Sequence, residues 1–209
     1  MAANLESLTL TGTGAVNGTG NNDANVLTGN RSVNTLMGNA GADTLRGMRG
    51  ANILIGGTGN DTYWLARGYG ADCLTENDTT AGNTDIARLN TGIATDQSWF
   101  TKVVNKLEVS IIGTTDKFTL NNWYLSNQYH VEQFKTSDGE TLLNSQVQNL
   151  MSAMAGFASP CGRADDASDQ LSDHAGTGVG GELDLSGTDG IESKRSDHPR
   201  ATPFGGTFI

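Results

Sequence analysis

The chain has 209 residues, of which 28 are glycine and only 17% are charged. This composition favours turns and short strands over a helical bundle. Acidic residues outnumber basic residues by 23 to 13, and the net charge of −10 argues against nucleic acid or an anionic membrane as a partner and favours cations. No run of about 18 apolar residues occurs, so the sequence predicts no transmembrane segment.

Residues 1–19 are predicted to form an N-terminal cap strand. Leu5, Leu8 and Leu10 alternate with polar residues, as in a strand with one buried face. The segment lacks the basic region and apolar core of a cleaved signal peptide. We therefore expect the protein either to stay inside the cell or to be exported by a signal that lies elsewhere in the chain.

Residues 20–61 repeat with a nine-residue period over five units. Each unit has glycine in the first place, Asn or Asp in the sixth and a large apolar residue in the eighth. The first-place residues are Gly20, Gly29, Gly38, Gly47 and Gly56, the sixth-place residues are Asn25, Asn34, Asp43, Asn52 and Asp61, and the eighth-place residues are Leu27, Leu36, Leu45, Leu54 and Tyr63. Three places kept in step over five units indicate a structural repeat.

A unit of this length suits a tight turn followed by a very short strand. Glycine in the first and fourth places permits the positive φ of such a turn, and Asn and Asp tolerate it. One large apolar residue per unit cannot form a core alone, so the units must stack. We expect two units to make one coil, so that each unit lies above the next unit but one.

This stacking places the sixth-place residues on two edges of the coil stack. The first edge carries Asn25, Asp43 and Asp61, and the second edge carries Asn34 and Asn52. Two carboxylates in adjacent turns repel each other, and a cation with oxygen ligands would relieve this repulsion. Ca²⁺ suits such a flexible oxygen shell better than Mg²⁺. A metal-free solenoid, stabilised by asparagine ladders and threonines, is the alternative.

The unit resembles the G-G-x-G-x-D-x-U-x nonapeptide of RTX (repeats-in-toxin) proteins. Residues 56–64 match this pattern in full, and residues 38–46 lack only the second glycine. The resemblance implies an all-β fold in which a parallel β-roll, or β-solenoid, over residues 20–72 binds Ca²⁺. It also implies export to the extracellular space by a type I secretion machinery.

One strong calcium site is expected between the turns that hold Asp43 and Asp61. The turn residues expected to contribute are Gly38, Asn39, Gly41, Gly56, Gly57 and Gly59. Asn25, Asn34 and Asn52 offer a neutral oxygen, so we expect weaker, degenerate sites there. After Asp61 the period breaks, and a last strand is expected to lead into a longer loop from residue 67. Asp72 and Glu76 either add ligands at the lower edge of the roll or are solvated loop acids.

Residues 73–158 are predicted to continue the roll as irregular β coils. Strands are expected at residues 85–89, 106–112, 117–120 and 130–134, with turns at 113–116 and 137–139. The phrases GTTDKFTLNNWY and HVEQFKTSDGETL resemble the haemolysin-type calcium-binding related domain that often follows RTX repeats. Trp99, Trp123 and Phe134 are interpreted as core residues, and His130 as a structural histidine.

The end of this region and the tail differ in pattern. Leu143, Val147, Leu150, Met151 and Met154 recur at helical spacing. They predict an amphipathic helix within residues 141–157 that starts near Asn144 or Ser145, stops at Gly156 and Pro160, and covers the last strands. Its polar face has no Lys or Arg, which argues against a membrane-surface helix. Residues 159–209 have few large apolar residues and no period, which predicts a disordered tail.

No catalytic motif is recognised. The chain contains neither H-E-x-x-H nor G-x-S-x-G, and it has no EF-hand loop and no strand–helix unit of a dinucleotide site. Cys73 and Cys161 exclude a disulfide framework but leave a single disulfide open. We therefore expect a non-catalytic module that folds on Ca²⁺, and the resemblance to RTX proteins implies that it does so outside the cell, as the C-terminal part of a type I secreted protein. A metal-independent adhesion or binding scaffold and a detached accessory domain of a secreted hydrolase are the alternatives.

Overall fold

The computed structural model describes residues 1–90 and 92–155. The expectations for the tail at 159–209, for the helix stop at Gly156 and Pro160, and for Cys161 lie outside these residues. The strands are β1 (Ser7–Thr9), β2 (Gly18–Thr19), β3 (Val26–Thr28), β4 (Thr35–Ala40), β5 (Thr44–Arg46), β6 (Ile53–Thr58), β7 (Thr62–Leu65), β8 (Ala71–Thr75), β9 (Ile86–Leu89), β10 (Ser98–Val103), β11 (Lys106–Ile111), β12 (Lys117–Leu120), β13 (Gln133–Lys135) and β14 (Thr141–Leu143).

These strands form two seven-stranded sheets. The first sheet has the order β1-β3-β5-β7-β9-β13-β14, and the second has the order β10-β11-β12-β8-β6-β4-β2. Successive strands alternate between the sheets as far as β10, and in the parallel part each pair of strands makes one coil of a roll. All pairings are parallel except β13 with β14, β10 with β11 and β11 with β12. The predicted parallel β-roll with one helix is confirmed.

The core is a ladder of eighth-place side chains. In the first sheet Leu27 lies beside Leu45 and Leu45 beside Tyr63, while in the second sheet Leu36 lies beside Leu54. Each of these steps spans two repeat units, and all of these side chains are fully buried. The eighth place is therefore the inward position of each short strand, as the repeat predicts.

The roll continues beyond the point where the sequence period breaks. Ile53 pairs with Cys73 and Thr62 pairs with Ile86, so both steps are longer than two repeat units. The extra residues lie between strands, and they leave the strand register intact. The prediction of a long loop from residue 67 is therefore wrong in part. The loop is short, because β8 begins at Ala71 and adds a full strand to the second sheet.

At its N-terminal end the roll begins with β1 and β2. Leu8 lies beside Leu27 in the register of β1 and β3, and Leu8 and Leu10 pack against the core. Leu5, which was expected to share this buried face, is 51% exposed. Leu5 lies before β1, which begins at Ser7. Of the three leucines expected on the buried face, only Leu8 and Leu10 therefore reach the core.

The extension closes the roll with antiparallel strands. β12 adds in parallel to β8 and β13 adds in parallel to β9, after which β10, β11 and β14 complete the two sheets. The strand expected at residues 130–134 begins later, at Gln133, and β10 and β14 were not expected. Trp123 and Phe134 are core residues, whereas Trp99 is only half-buried on β10.

Helix α1 (Asn144–Met154) starts at the predicted position. Its buried residue Val147 and the partly buried Leu150, Met151 and Met154 pack against the core, and the helix contacts β10 and β14. These are the end strands of the two sheets, so the helix covers edges that would otherwise pair with other chains. Leu143, expected on the apolar face, precedes the helix and is exposed. None of the described helices is long and apolar enough to cross a membrane.

Leu45→Ala should lower the free energy of unfolding by about 2–5 kcal/mol, because it opens a cavity in the middle of the ladder. Leu5→Ala removes the same atoms from an exposed position and should change stability by less than about 0.5 kcal/mol. Urea denaturation of both variants at one calcium concentration measures the difference. Equal losses from the two variants would contradict the ladder as the core of the roll.

Candidate metal centre

A chain of hydrogen bonds links the sixth-place residues along the first edge. The backbone N–H of Asn25 donates to Asp43 Oδ1 (2.7 Å), that of Asp43 donates to Asp61 Oδ1 (2.8 Å), and that of Asp61 donates to Asp85 Oδ1 (2.7 Å). The N–H of Asp85 then donates to Glu132 Oε2 (2.8 Å). Each acidic side chain therefore accepts a hydrogen bond from the backbone of the coil before it. Asp43 and Asp61 lie in adjacent coils, as predicted.

The second carboxylate oxygens of Asp43 and Asp61 have no hydrogen-bond partner. Both side chains are buried, and both Oδ2 atoms are inaccessible to solvent and unpaired. Within the described part of the chain no basic side chain forms a salt bridge with either residue. A buried carboxylate without a counter-charge is costly, so this pair of oxygens requires either protons or a cation.

The glycines of the two turns allow the backbones to stack closely. Gly57 and Gly59 have φ values of +116° and +125°, which favour glycine. A Cβ atom on Gly57 would collide with the carbonyl oxygen of Asn39, and one on Gly59 would collide with that of Gly41. The carbonyl oxygens of the turn at 38–43 therefore lie directly against the turn at 56–61.

The first-place glycines leave room for the carboxylates. A Cβ atom on Gly38 would collide with Asp43 Oδ2, and one on Gly56 would collide with Asp61 Oδ2 and the Tyr63 hydroxyl. Of the expected turn residues, Gly38 and Gly56 therefore lie directly against the two carboxylates, while Gly57 and Gly59 stack on the backbone of Asn39 and Gly41.

Burial disfavours the charged form of these acids. The pKa of Asp61 is raised to about 7, mainly by burial; the hydrogen bond from the Asp43 N–H opposes this shift, and the nearby charges of Asp43 and Asp78 add to it. Burial also raises the pKa of Asp43, against the hydrogen bond from the Asn25 N–H. Without a cation, the pair therefore holds protons more tightly than exposed carboxyl groups do.

The second edge ends in an acid that the repeat pattern did not reveal. Asp72 lies one coil after Asn52, and its Oδ1 accepts hydrogen bonds from the Asn52 N–H (2.9 Å) and Nδ2 (2.8 Å). It is buried, its Oδ2 is unpaired, and burial raises its pKa to about 6. The expectation of a neutral second edge is therefore wrong, and Asp72 is a sixth-place residue rather than a solvated loop acid.

The sixth-place asparagines already use their amide groups. The Oδ1 atoms of Asn25, Asn34 and Asn52 accept the N–H groups of Asn21, Asn30 and Asn34 respectively. Asn25 Nδ2 donates to Leu5 O and Asn34 Nδ2 donates to Val16 O. These asparagines stabilise turns and join coils, and their oxygens already have donors in the structure.

A further group of acids lies at the lower end of the first edge. Asp61, Glu76 and Asp85 are buried, and one carboxylate oxygen of each lies within 4.8 Å of the others. Burial raises the pKa of Glu76 to about 9 and that of Asp85 to about 7. The sequence analysis missed Asp85 and Glu132, because the inserted residues hide their sixth-place positions. The signal that could have found Asp85 is an acid placed directly before an alternating strand, as Asp61 is.

His130 has a structural role, as expected. Its Nε2 lies 2.8 Å from the carbonyl oxygen of Trp123, and its ring stacks on the Trp123 ring with 4.1 Å between centroids. Burial lowers its pKa, against the effect of that hydrogen bond. These two contacts hold the neutral ring in place, and His130 is not part of the acidic groups.

The donor set at the first edge fits a hard divalent cation. Asp43 and Asp61 carry unpaired carboxylate oxygens, and the carbonyl oxygens of Asn39 and Gly41 lie against the glycines of the next turn. Ca²⁺ accepts six to eight oxygens in flexible geometry, whereas Mg²⁺ demands a regular octahedron. The residues present could therefore hold Ca²⁺ in place of the protons.

Comparison with known families agrees with this geometry. Residues 19–47, 28–63 and 37–70 match the RTX calcium-binding nonapeptide repeat (4 copies) in three overlapping stretches. Residues 107–146 match the haemolysin-type calcium binding protein related domain. Both resemblances drawn from the sequence are thereby confirmed. The chain carries RTX calcium-binding nonapeptide repeats followed by a haemolysin-type calcium binding protein related domain, and the ion that such repeats bind is Ca²⁺.

Proposed function

We propose that this chain is a non-catalytic module whose roll folds stably when Ca²⁺ binds between the turns at 38–43 and 56–61. Asp43 and Asp61 are the proposed charged ligands, and carbonyl oxygens of the two turns complete the shell. The observation that carries the proposal is the pair of buried, unpaired Oδ2 atoms. Because the ion would bind only the folded coils, its binding free energy adds to the stability of the fold.

We further propose that the module works outside the cell and is exported by a type I secretion machinery. Its match to the RTX repeats supports this route. Calcium at roughly millimolar extracellular levels is sufficient for the weaker class of protein calcium sites. In a cytosol with little calcium the same carboxylates would leave the roll less stable, which suits a chain that is exported before it folds.

Calcium should increase the β signal in far-UV circular dichroism and raise the melting temperature of the chelator-treated full chain. The reason is that the ion replaces repulsion between buried carboxylates with shared coordination. Titration up to about 10 mM covers the range of weak extracellular sites. No change in either measurement would contradict the proposal and would favour the metal-independent scaffold.

Asp43→Asn should raise the calcium Kd of this site by at least about tenfold, or about 1.4 kcal/mol. It removes one charge from the proposed shell but preserves the side-chain shape. Asp72→Asn is the matched control, since Asp72 is also buried and bonded to the preceding coil, yet its neighbour along the edge is the neutral Asn52. Isothermal titration should show a smaller effect for Asp72→Asn, and equal effects would argue against a site specific to the first edge.

Without calcium, stability should fall as the pH rises from about 4 toward 7, and further toward 9. The folded chain keeps protons on Asp61, Asp72, Asp85 and Glu76, with pKa values of about 7, 6, 7 and 9, that the unfolded chain has already lost. Saturating calcium binds the deprotonated forms and should remove or reverse this slope. Melting temperatures between about pH 5 and 8, with chelator and with calcium, test this. A metal-free melting temperature that rises across this window would disagree.

A further inference from the structure

Glu76 occupies a place that the repeat reserves for glycine. Leu54 lies beside Leu74 in the register of β6 and β8, so Glu76 follows Leu74 as Gly56 follows Leu54. At Gly56 the space for a side chain is already taken by Asp61 and Tyr63. In the next coil that space is filled by the carboxylate of Glu76 itself, which is 2% exposed. A carboxyl group thus replaces a hydrogen atom inside the roll.

The surroundings of Glu76 supply oxygen atoms. Its Oε1 accepts a hydrogen bond from the Tyr63 hydroxyl, and its Oε2 is buried and unpaired. Asp61 and Asp85 each place a carboxylate oxygen within 4.8 Å of the Glu76 ligand atom. Among the described residues no Lys or Arg forms a salt bridge with any of these three acids.

The three carboxylates are held in position by the ladder and the loop after β8. Asp85 Oδ1 accepts the Asp61 N–H, and Asp85 Oδ2 lies 3.2 Å from Asn83 Nδ2. Asp78, on the same loop, accepts the Gly59 N–H (2.9 Å). The acids therefore cannot easily separate to relieve their repulsion, and the unpaired oxygens of Asp61 and Glu76 stay buried together.

We propose that Asp61, Glu76 and Asp85 form a second calcium site, built differently from the site between the glycine turns. Its distinguishing ligand is a side chain that enters from inside the roll, at the first place of a unit. This inference rests on the proposed calcium binding of the roll but not on the contribution of Asp43. Asp61 would belong to both sites and bridge the two ions.

The second site would join the repeats to the domain that follows them. The N–H of Asp85 donates to Glu132, and Glu132 lies within the matched region 107–146. An ion on Asp85 would therefore fix the last coil of the repeats and the acceptor from the next domain in one arrangement. Calcium would act on the junction as well as on the stacked turns.

Three isosteric variants of the full chain separate the two sites. Isothermal titration with calcium should show one strong site fewer in Glu76→Gln, the other site weakened at least about tenfold in Asp43→Asn, and both sites weakened in Asp61→Asn. Glu140→Gln, at an exposed position, is the control and should bind as the wild type does. Far-UV circular dichroism of each variant in calcium checks that it folds.

The outcomes distinguish the two proposals. If the wild-type chain binds no calcium, the proposed function is wrong. If it binds calcium and Glu76→Gln keeps the same number of sites and the same affinities, only the second site is wrong.

Should Glu76→Gln fail to fold, the wild-type protein crystallised with Tb³⁺ provides the test. An anomalous peak at roughly 2.3–2.6 Å from the Glu76 carboxylate, the range for calcium-like oxygen ligation, supports the site. Peaks confined to the glycine turns would overturn it.

Discussion

The structure depends on one hydrogen bond repeated along the first edge. In each coil the backbone N–H of the sixth-place residue donates to a side-chain oxygen of the sixth-place residue one coil later, as Asp43 does to Asp61. This bond fixes the spacing of the coils and uses one oxygen of each carboxylate. The other oxygen of Asp43 and of Asp61 is left buried and unpaired. The same residue therefore builds the roll and leaves a buried oxygen that needs a proton or a cation.

The choice between Asn and Asp follows from this arrangement. At the N-terminal end of the stack, Asn25 and Asn34 use their amide groups to donate to Leu5 O and Val16 O of the preceding coil. A carboxylate could not make these bonds, since it only accepts. Further along the first edge, Asp43 and Asp61 make no such donation and leave an oxygen for an ion. The replacement of Asp by Asn in the first units is therefore not a mere loss of the repeat pattern. It exchanges an unpaired carboxylate oxygen for an amide donor that joins two coils.

Much of the roll could be predicted from the sequence. The nine-residue period predicts the stacking, the inward leucines, the two edges and the adjacency of Asp43 and Asp61. It could not assign Asp72, Asp85 and Glu132 to the two edges, although Asp72 was a candidate ligand, because residues inserted between strands shift their numbers without disturbing the strand register. Loops that leave the ladder intact cost little free energy, so nothing in the physics keeps their length constant. The role of Glu76 was equally hidden, since it becomes apparent only when β8 is aligned with β6.

The ladder also has a polarity. Along the first edge each sixth-place N–H finds its acceptor in a coil that comes later in the chain, and the last acceptor, Glu132, comes from the extension. The next N–H in each coil runs the other way, since that of Thr44 donates to Asn25 O and that of Thr62 donates to Asp43 O. Adjacent coils are therefore joined in both directions at this edge, and the extension supplies the last side-chain acceptor. A chain released from its N-terminal end must wait for Glu132 before the first-edge ladder is complete.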